Sequence, residues 1–472
     1  MILRSYSFAW VFAAVVALLP LVESTGGGGG GWGNPSITFR EVHICETTPY
    51  TKSYSGYITL PSSPDTKIFF WLFESRHLNP RTAPLTVWLN GGPGAASMTQ
   101  AVNGHNGPCV VQSSGNSTAV NPWSWNKASN VLYIDQPAGT GFSHGDNLAD
   151  TTARSANQVA EAVRVWRNHW KFSEYKRESI NIWSQSYGGH FAPAIAVLLK
   201  NHMRINSVGV INGIFDILVQ APSYPTFAVN NTYIKTVPDE AAAAALQAMT
   251  MPGGCADQAA ACRQLQQAYD PQNTGANSTV NADCFGAFQF CWGNVYYVYE
   301  AVSGRSPFDI KQLLPDPIPS PLGDEFLSKP WVRQALGAQV PYADANDTIN
   351  TAFLLNGDFL RSYTPELSTL LNASVKVALV YGDRDYRANW FGGEALSLAL
   401  NFPGKAAFSA KPYANIITGG YVPAVKGKVR QYGALSFSVV HEAGHEVPYY
   451  QGEAALRIFE RTLGGKAVAT GL

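Results

Sequence analysis

Six short stretches of nearly unbroken apolar residues punctuate the chain. They are LTVWL before Asn90, VLYI before Asp135, INIW before Ser184, VGVI before Asn212, VKVALVY before Gly382 and LSFSVV before His441. β-Branched and aromatic residues dominate them, and each runs into a turn rich in Gly, Asn or Asp. A run of this kind fits a strand covered on both faces, as in a mainly parallel sheet. Between some of the runs the period becomes helical. Thr151 to Trp170 holds good helix formers, with Val159, Ala162, Val163 and Trp166 at helical spacing. Ala192 to Lys200 is a second such stretch. Strands alternating with helices predict an α/β fold, a central sheet flanked by helices.

The alternation lapses between about Ala221 and Pro341. That region contains EAAAAALQAM, four of the six cysteines and the Pro-rich LLPDPIPSPL. It reads as a partly helical insertion over the sheet. The chain then divides into a first core part at 37–220, an insertion at 221–341 and a second core part at 342–472. No internal repeat is visible.

The beginning of the chain stands outside this scheme. Arg4 precedes FAWVFAAVVALLPLV, and Val22 and Ser24 are placed as in a small-residue cleavage site. Residues 1–24 read as a secretory signal peptide. The apolar run falls short of the ~20 residues a spanning helix needs, so cleavage is favoured over a membrane anchor. Residues 25–36, with TGGGGGGWG, are too Gly-rich to order themselves. Secretion gives meaning to two further features. Sequons at Asn116, Asn230, Asn277, Asn346 and Asn372 become glycan acceptors on surface loops. The six cysteines become an even set in an oxidising compartment. A nested pairing, Cys255 with Cys291 and Cys262 with Cys284, would staple a helical excursion and leave Cys45 for Cys109. Spacing alone does not fix that connectivity. A zinc site is the rival for the cluster, but C-x6-C lacks the short spacing of zinc ligands.

Composition mainly excludes. The 472 residues carry a formal net charge of zero and only 14% are charged, against about 25% in ordinary soluble proteins. No basic run or stripe offers itself to phosphates, which argues against nucleic-acid binding. Twelve Trp and twenty-two Tyr suit a deep core or an apolar pocket. No motif calls for a cofactor.

Candidate chemistry lies in the turns after the apolar runs, where α/β sheets bind their ligands. INIWSQSYGGHF is a strand, a tight turn and a helix start, with Ser186 at the turn. It resembles a nucleophile elbow, with Ser184 in place of the first Gly of G-x-S-x-G. Asp385 and His445 follow two later strands, and the order Ser, Asp, His is that of α/β-hydrolases. Ser is a poor nucleophile near neutral pH unless a His takes its proton, and a carboxylate fixes the imidazole tautomer. Asp383 competes with Asp385 for that role. WLNGGPGAAS adds a Gly-rich turn at Gly91 and Gly92, whose backbone N–H groups, with that of Tyr187, can form an oxyanion hole.

Taken in order, WLNGGPG, NGPC, NPWSWNKASNVLYIDQPAGTGFS, SQSYGGHFAP, YGDRDYRANW and AGHEVP resemble the serine carboxypeptidase family, and INGIFDILVQAPSYPTFAVNNTY is similar to its fungal secreted members. The resemblance spans nearly all of the chain beyond the Gly-rich lead-in. It implies the α/β-hydrolase fold and release of C-terminal amino acids from peptides or proteins. By position it implies Ser186 as nucleophile, Asp385 as orienter and His445 as base. Gly92 and Tyr187 fall at its oxyanion donors. Asn90 and Gly91 fall at its clamp for the substrate's terminal carboxylate. The nested cysteine pairing also agrees with the family's insertion.

Two positions depart from the family. Gln185 and His105 stand where its members carry two glutamates that share protons and bind the substrate carboxylate best in acid. The Gln185 amide can donate without being protonated first, and His105 donates in either charge state. Carboxylate recognition should then depend less on acid. Ala95 and Ala388 stand where many members have Cys.

Three rivals remain in view. His441-Glu442-Ala443-Gly444-His445 matches H-E-x-x-H, the zinc-protease motif, but that motif needs a helix, and Gly444 and Pro448 disfavour one. An esterase or acyltransferase would keep the fold and use the altered clamp. A non-catalytic binding protein would have no use for Ser, Asp and His together.

Overall fold

The six apolar runs become the middle of one sheet. The computed structural model describes residues 22–23, 36–175, 179–318, 320–419 and 422–469. The expected signal peptide and lead-in lie outside these residues except for 22–23 and Ser36. Strands β1 (Val22–Glu23), β2 (Ile37–Val42), β3 (Ser53–Leu60) and β4 (Ser63–Phe73) form one antiparallel flank. β5 (Leu85–Leu89) follows, and then a separate hairpin of β6 (Cys109–Val111) and β7 (Thr118–Val120). The chain returns to the sheet with β8 (Asn130–Ile134), β9 (Ser179–Gln185), β10 (Arg204–Ile211) and β11 (Lys376–Gly382). It ends there with β12 (Ala414–Thr418), β13 (Ala424–Tyr432) and β14 (Leu435–Val440).

The order across the sheet is β1-β2-β3-β4-β8-β5-β9-β10-β11-β14-β13-β12. The block β8-β5-β9-β10-β11-β14 is parallel throughout. These are the six strands read from the sequence, and both flanks are antiparallel, so the sheet as a whole is mixed. Burial explains the division. Every residue of β5, β8 and β14 is buried, because helices cover both faces. The helix Thr152–Asn168 buries Val159, Ala162, Val163 and Trp166 on one face. Its N-cap, Thr151, accepts a hydrogen bond from the Arg154 N–H. The helix Gly452–Leu463 covers the other face, where Phe459 stacks on Trp125.

β10 and β11 are neighbours, yet the chain between them runs from Asn212 to Val375 and, among the described residues, adds no strand to the sheet. It is helical instead. Two of its helices, Cys255–Tyr269 and Ser278–Cys291, are joined by the disulfides Cys255–Cys291 and Cys262–Cys284. The third disulfide, Cys45–Cys109, ties the segment after β2 to β6. Of the sequon asparagines, Asn116, Asn230 and Asn372 are exposed. Asn277 and Asn346 are half-buried, and their side chains cap the helices Ser278–Cys291 and Asp347–Leu355. No helix of the described residues is long and apolar enough to cross a membrane.

Candidate active site

Parallel strands put all their carboxyl ends on one side of the sheet, and the turns singled out from the sequence lie there. Asn90 follows β5, Ser186 follows β9, Asp385 lies just beyond β11 and His445 just beyond β14.

The turn at Ser186 is tight. β9 ends at Gln185 and the helix Gly188–Lys200 begins two residues after Ser186. The serine therefore takes φ 60°, in the left-handed region that is costly for a residue with a side chain. Its neighbours hold it there. The Ser186 N–H donates to the Ile211 carbonyl at 2.9 Å, and its own carbonyl accepts from the Ile214 and Gly189 N–H groups at 3.0 Å each. Glycine makes the crossing possible. A Cβ on Gly188 would stand 2.5 Å from the Ser184 side chain, and one on Gly189 would stand 2.3 Å from the Ile214 oxygen. The loop after β5 packs against the same turn. A Cβ on Gly91 would stand 2.6 Å from the Tyr187 nitrogen and 2.9 Å from the Ser186 Cβ. The backbones of Gly91 and Tyr187 thus flank Ser186 closely, and Gly92 shares a cavity wall with it.

His445 sits in a turn, and no helix runs through His441 to His445. The two histidines of the H-E-x-x-H match therefore share no helical face. The His445 Nδ1–H donates instead to Asp385 Oδ2 at 2.6 Å. Asp385 is fully buried, and Asn212 Nδ2 donates to the same oxygen at 2.5 Å. Asn212 Oδ1 in turn accepts from the Gly382 N–H at 2.8 Å, which fixes its amide. Asp383 is engaged elsewhere, accepting from the Tyr233 hydroxyl at 2.7 Å. The His445 N–H donates to the Phe308 carbonyl, and the Phe308 ring lies 5.0 Å from the imidazole. Burial alone would lower the His445 imidazole. The charge and hydrogen bond of Asp385 outweigh it and hold the group above the ordinary histidine value.

Ser186 and His445 line one cavity of about 280 Å³, together with Asn90, Gly92 and Gln185. Asn90 Oδ1 accepts from the Gly91 N–H at 3.0 Å and its Nδ2 donates to the Ala96 carbonyl at 3.0 Å. His105, expected at this clamp, is buried and not on the cavity wall. It lies behind Glu446, with Nδ1 3.1 Å from Glu446 Oε2 and against the Gln100 side-chain oxygen. Glu446 itself is on the wall. Burial would raise its carboxyl, but the charge and hydrogen bond of His105 prevail and bring it to about 2. Glu446 escaped the sequence reading although it directly follows His445. Asn212 escaped too, although it ends one of the six apolar runs. Thr99, Arg387 and Asp344 also line the cavity; Arg387 lies inside YGDRDYRANW, whereas Thr99 and Asp344 belong to no motif read from the sequence.

The family model described as serine carboxypeptidase matches residues 44–465. A carboxypeptidase S1 homolog B of Arthroderma otae is 38% identical, over 96% of this chain and 78% of that protein. Carboxypeptidase S1 of Penicillium janthinellum is 32% identical, over 90% of this chain and 98% of that protein. Among solved structures, Kex1(delta)p, a prohormone-processing carboxypeptidase from Saccharomyces cerevisiae, superposes with a TM-score of 0.67 at 20% identity. That match covers 91% of each chain and establishes the α/β-hydrolase fold.

Proposed function

The chain belongs to the serine carboxypeptidase family, and from that premise we propose that Ser186, Asp385 and His445 release the C-terminal residue of peptides through an acyl-enzyme. The observation that carries the assignment of roles is the 2.6 Å bond from His445 Nδ1 to Asp385, with His445 and Ser186 on the wall of one cavity. Bonded to Asp385 through Nδ1, the neutral imidazole has Nε2 left as the acceptor.

His445 takes the Ser186 proton as Oγ adds to the carbonyl carbon of the last peptide bond. The carbonyl π pair moves onto oxygen. The Gly92 and Tyr187 N–H groups stabilise that oxyanion, and the adjacent start of the helix Gly188–Lys200 favours negative charge. Collapse breaks the C–N bond, and the imidazolium hands its proton to the leaving amine. Water then repeats the sequence in reverse on the ester. Asp385 stabilises the imidazolium that forms in both halves, the same interaction that raises the His445 pKa. Asn90 and Gly91 receive the terminal carboxylate, and Glu446, steadied by His105 and by the Gln185 amide, frames the adjoining wall.

The N-terminal apolar segment, three disulfides and the exposed sequons at Asn116, Asn230 and Asn372 support a glycosylated enzyme of the secretory route, extracellular or vacuolar. Residues 221–341 serve as an insertion over a core made of 37–220 and 342–472.

Peptides incubated with the protein and followed by mass spectrometry test this reading. Single residues should leave from the C-terminus, the release should stop with a serine-directed phosphonate, and a chelator should have no effect. Inhibition by the chelator, or ester cleavage without peptide cleavage, would sink it.

A further inference from the structure

The charges around the cavity pair off with one exception. Arg387 on the wall lies 3.2 Å from Glu300, His445 lies on Asp385, and Glu446 lies on His105. Asp344 is on the wall as well. Among the described residues, no Lys or Arg lies within ion-pair distance of Asp344 or of its neighbour Asp324.

These two carboxyls meet at one hydroxyl. Thr99 Oγ1 lies 2.7 Å from Asp324 Oδ1, 2.6 Å from Asp344 Oδ1 and 2.6 Å from the Tyr342 hydroxyl. A hydroxyl brings one hydrogen and two lone pairs. Thr99 donates to one carboxylate and accepts from Tyr342. Its third neighbour is satisfied only if the other carboxyl donates to it. Asp324 and Asp344 therefore hold one proton between them. Burial and then the charge of Asp344 push Asp324 up to about 7, in agreement with that count. The pair is firmly placed. Asp324 is on the helix Leu322–Ser328, and backbone bridges tie Ala345 to Ala95 and Ala343 to Gly141 on either side of Asp344.

A second, independent feature points the same way. Gln185 is 1% exposed and lies on the same wall, yet its Oε1 has no hydrogen-bond partner. Its amide helps hold the Glu446 carboxyl down, which assigns the nitrogen to Glu446 and leaves the oxygen for a donor. At Asp344 and Gln185 the wall thus presents acceptors that no Lys or Arg of the described residues occupies. No group of three or more His, Cys, Asp or Glu suited to a metal ion is present among the described residues. The complement of these two acceptors is an organic cation.

We propose that this wall receives the side chain of the substrate's C-terminal residue, and that Asp344, backed by Asp324, selects lysine or arginine there. The proposal rests on the carboxypeptidase reading above. Its placement follows from Thr99, which adjoins Gln100, whose amide donates to Glu446 at 3.4 Å. That is the side on which Gln185 and the buried His105 both reach Glu446. As an ammonium or guanidinium enters, the shared proton leaves to solvent. Two carboxylates then face one cation through charge-assisted hydrogen bonds.

Blocked dipeptides with a common penultimate residue, ending in lysine, arginine, norleucine or glutamate, test this by kcat/KM. Lysine and arginine should exceed norleucine by about tenfold or more, the range of a charge-assisted bond, and glutamate should be poorest. In Asp344→Asn the lysine-to-norleucine ratio should fall toward one. In Asp324→Asn, which keeps the Asp344 carboxyl, it should fall by less. A norleucine preference in the parent protein, or an unchanged ratio in folded Asp344→Asn, overturns the proposal. Product inhibition of the parent protein by free lysine against free norleucine reads the same wall without any variant, and equal inhibition overturns it too. Failure to cleave any of the four substrates would instead remove the carboxypeptidase reading, and this proposal with it.

Discussion

At the scale of single residues, the site separates partners that the sequence places side by side. His441 and His445 belong to one short motif, but only His445 bonds to Asp385. Ser186→Ala and His445→Ala should each lower kcat at least about 10³-fold, while His441→Ala should stay within about threefold, as steady-state kinetics on one peptide would establish. Asn212 acts through Asp385, the oxygen of which it shares with His445. Asn212→Ala should cost on the order of tenfold to a hundredfold in kcat with little change in KM, the cost of a lost bond to a buried charge. A second expectation concerns acid. Glu446 is held at about 2 and Gln185 does not titrate, so this side of the proposed clamp loses no carboxyl proton as pH rises from about 3 to 6. The kcat/KM of a norleucine-ending dipeptide should not fall over that interval, and a steep decline would contradict it. Ser186, Asp385 and His445 could be picked out because each follows a strand in a known order. Glu446, Thr99 and Asp344 were not, because a lone Glu, Thr or Asp in a loop gives no signal until folding brings distant loops together.

At the scale of elements, legibility followed burial. Strands covered on both faces are continuously apolar, and β5, β8, β9, β10, β11 and β14 could all be read from that pattern. The flanking strands could not. β12 and β13 expose part of one face, so their residues mix buried and exposed positions and merge with the turns around them. The helix after Ser186 begins at Gly188, before the predicted Ala192, because the glycines that discourage a helix in isolation are required by the crossing beneath it. Gly188→Ala should therefore be far worse than its small volume implies. The added methyl would meet the Ser184 side chain, and loss of soluble or active protein is the expected outcome. In the helical excursion, Cys262–Cys284 closes a loop with a sequence separation of 22. Replacing both cysteines by serine should cost roughly 3 kcal/mol on the chain-entropy account, measurable as a lower Tm at unchanged core structure.

For the molecule as a whole, buried carboxyls set the response to pH. Asp135, fully buried, is pushed up to about 7 by desolvation despite the N–H groups of Phe142, Ser97 and Met98, and Asp324 reaches about 7 as well. A group with a folded pKa above its unfolded value near 3.9 contributes stability below that value and loses it as pH rises through the folded one. These two carboxyls thus favour the folded state in acid and cease to do so near neutrality. Glu446 has the opposite sign. Its folded pKa is depressed, so its contribution is present above about 4.5 and is lost as pH falls toward 2. Thermal unfolding followed against pH should show the highest Tm near pH 4 to 5, with a fall of several degrees toward pH 7 and another toward pH 2. A Tm that rises steadily to neutral pH would contradict the assignment. The order of the sheet has one more effect, on the timing of biosynthesis. Ser186 follows a strand laid down early, but its proposed base, His445, waits on β14, which docks beside β11 only after the long excursion between β10 and β11 has been made. Until β14 is made, the nascent chain holds the proposed nucleophile without its base, and the Ser186 hydroxyl stays unactivated.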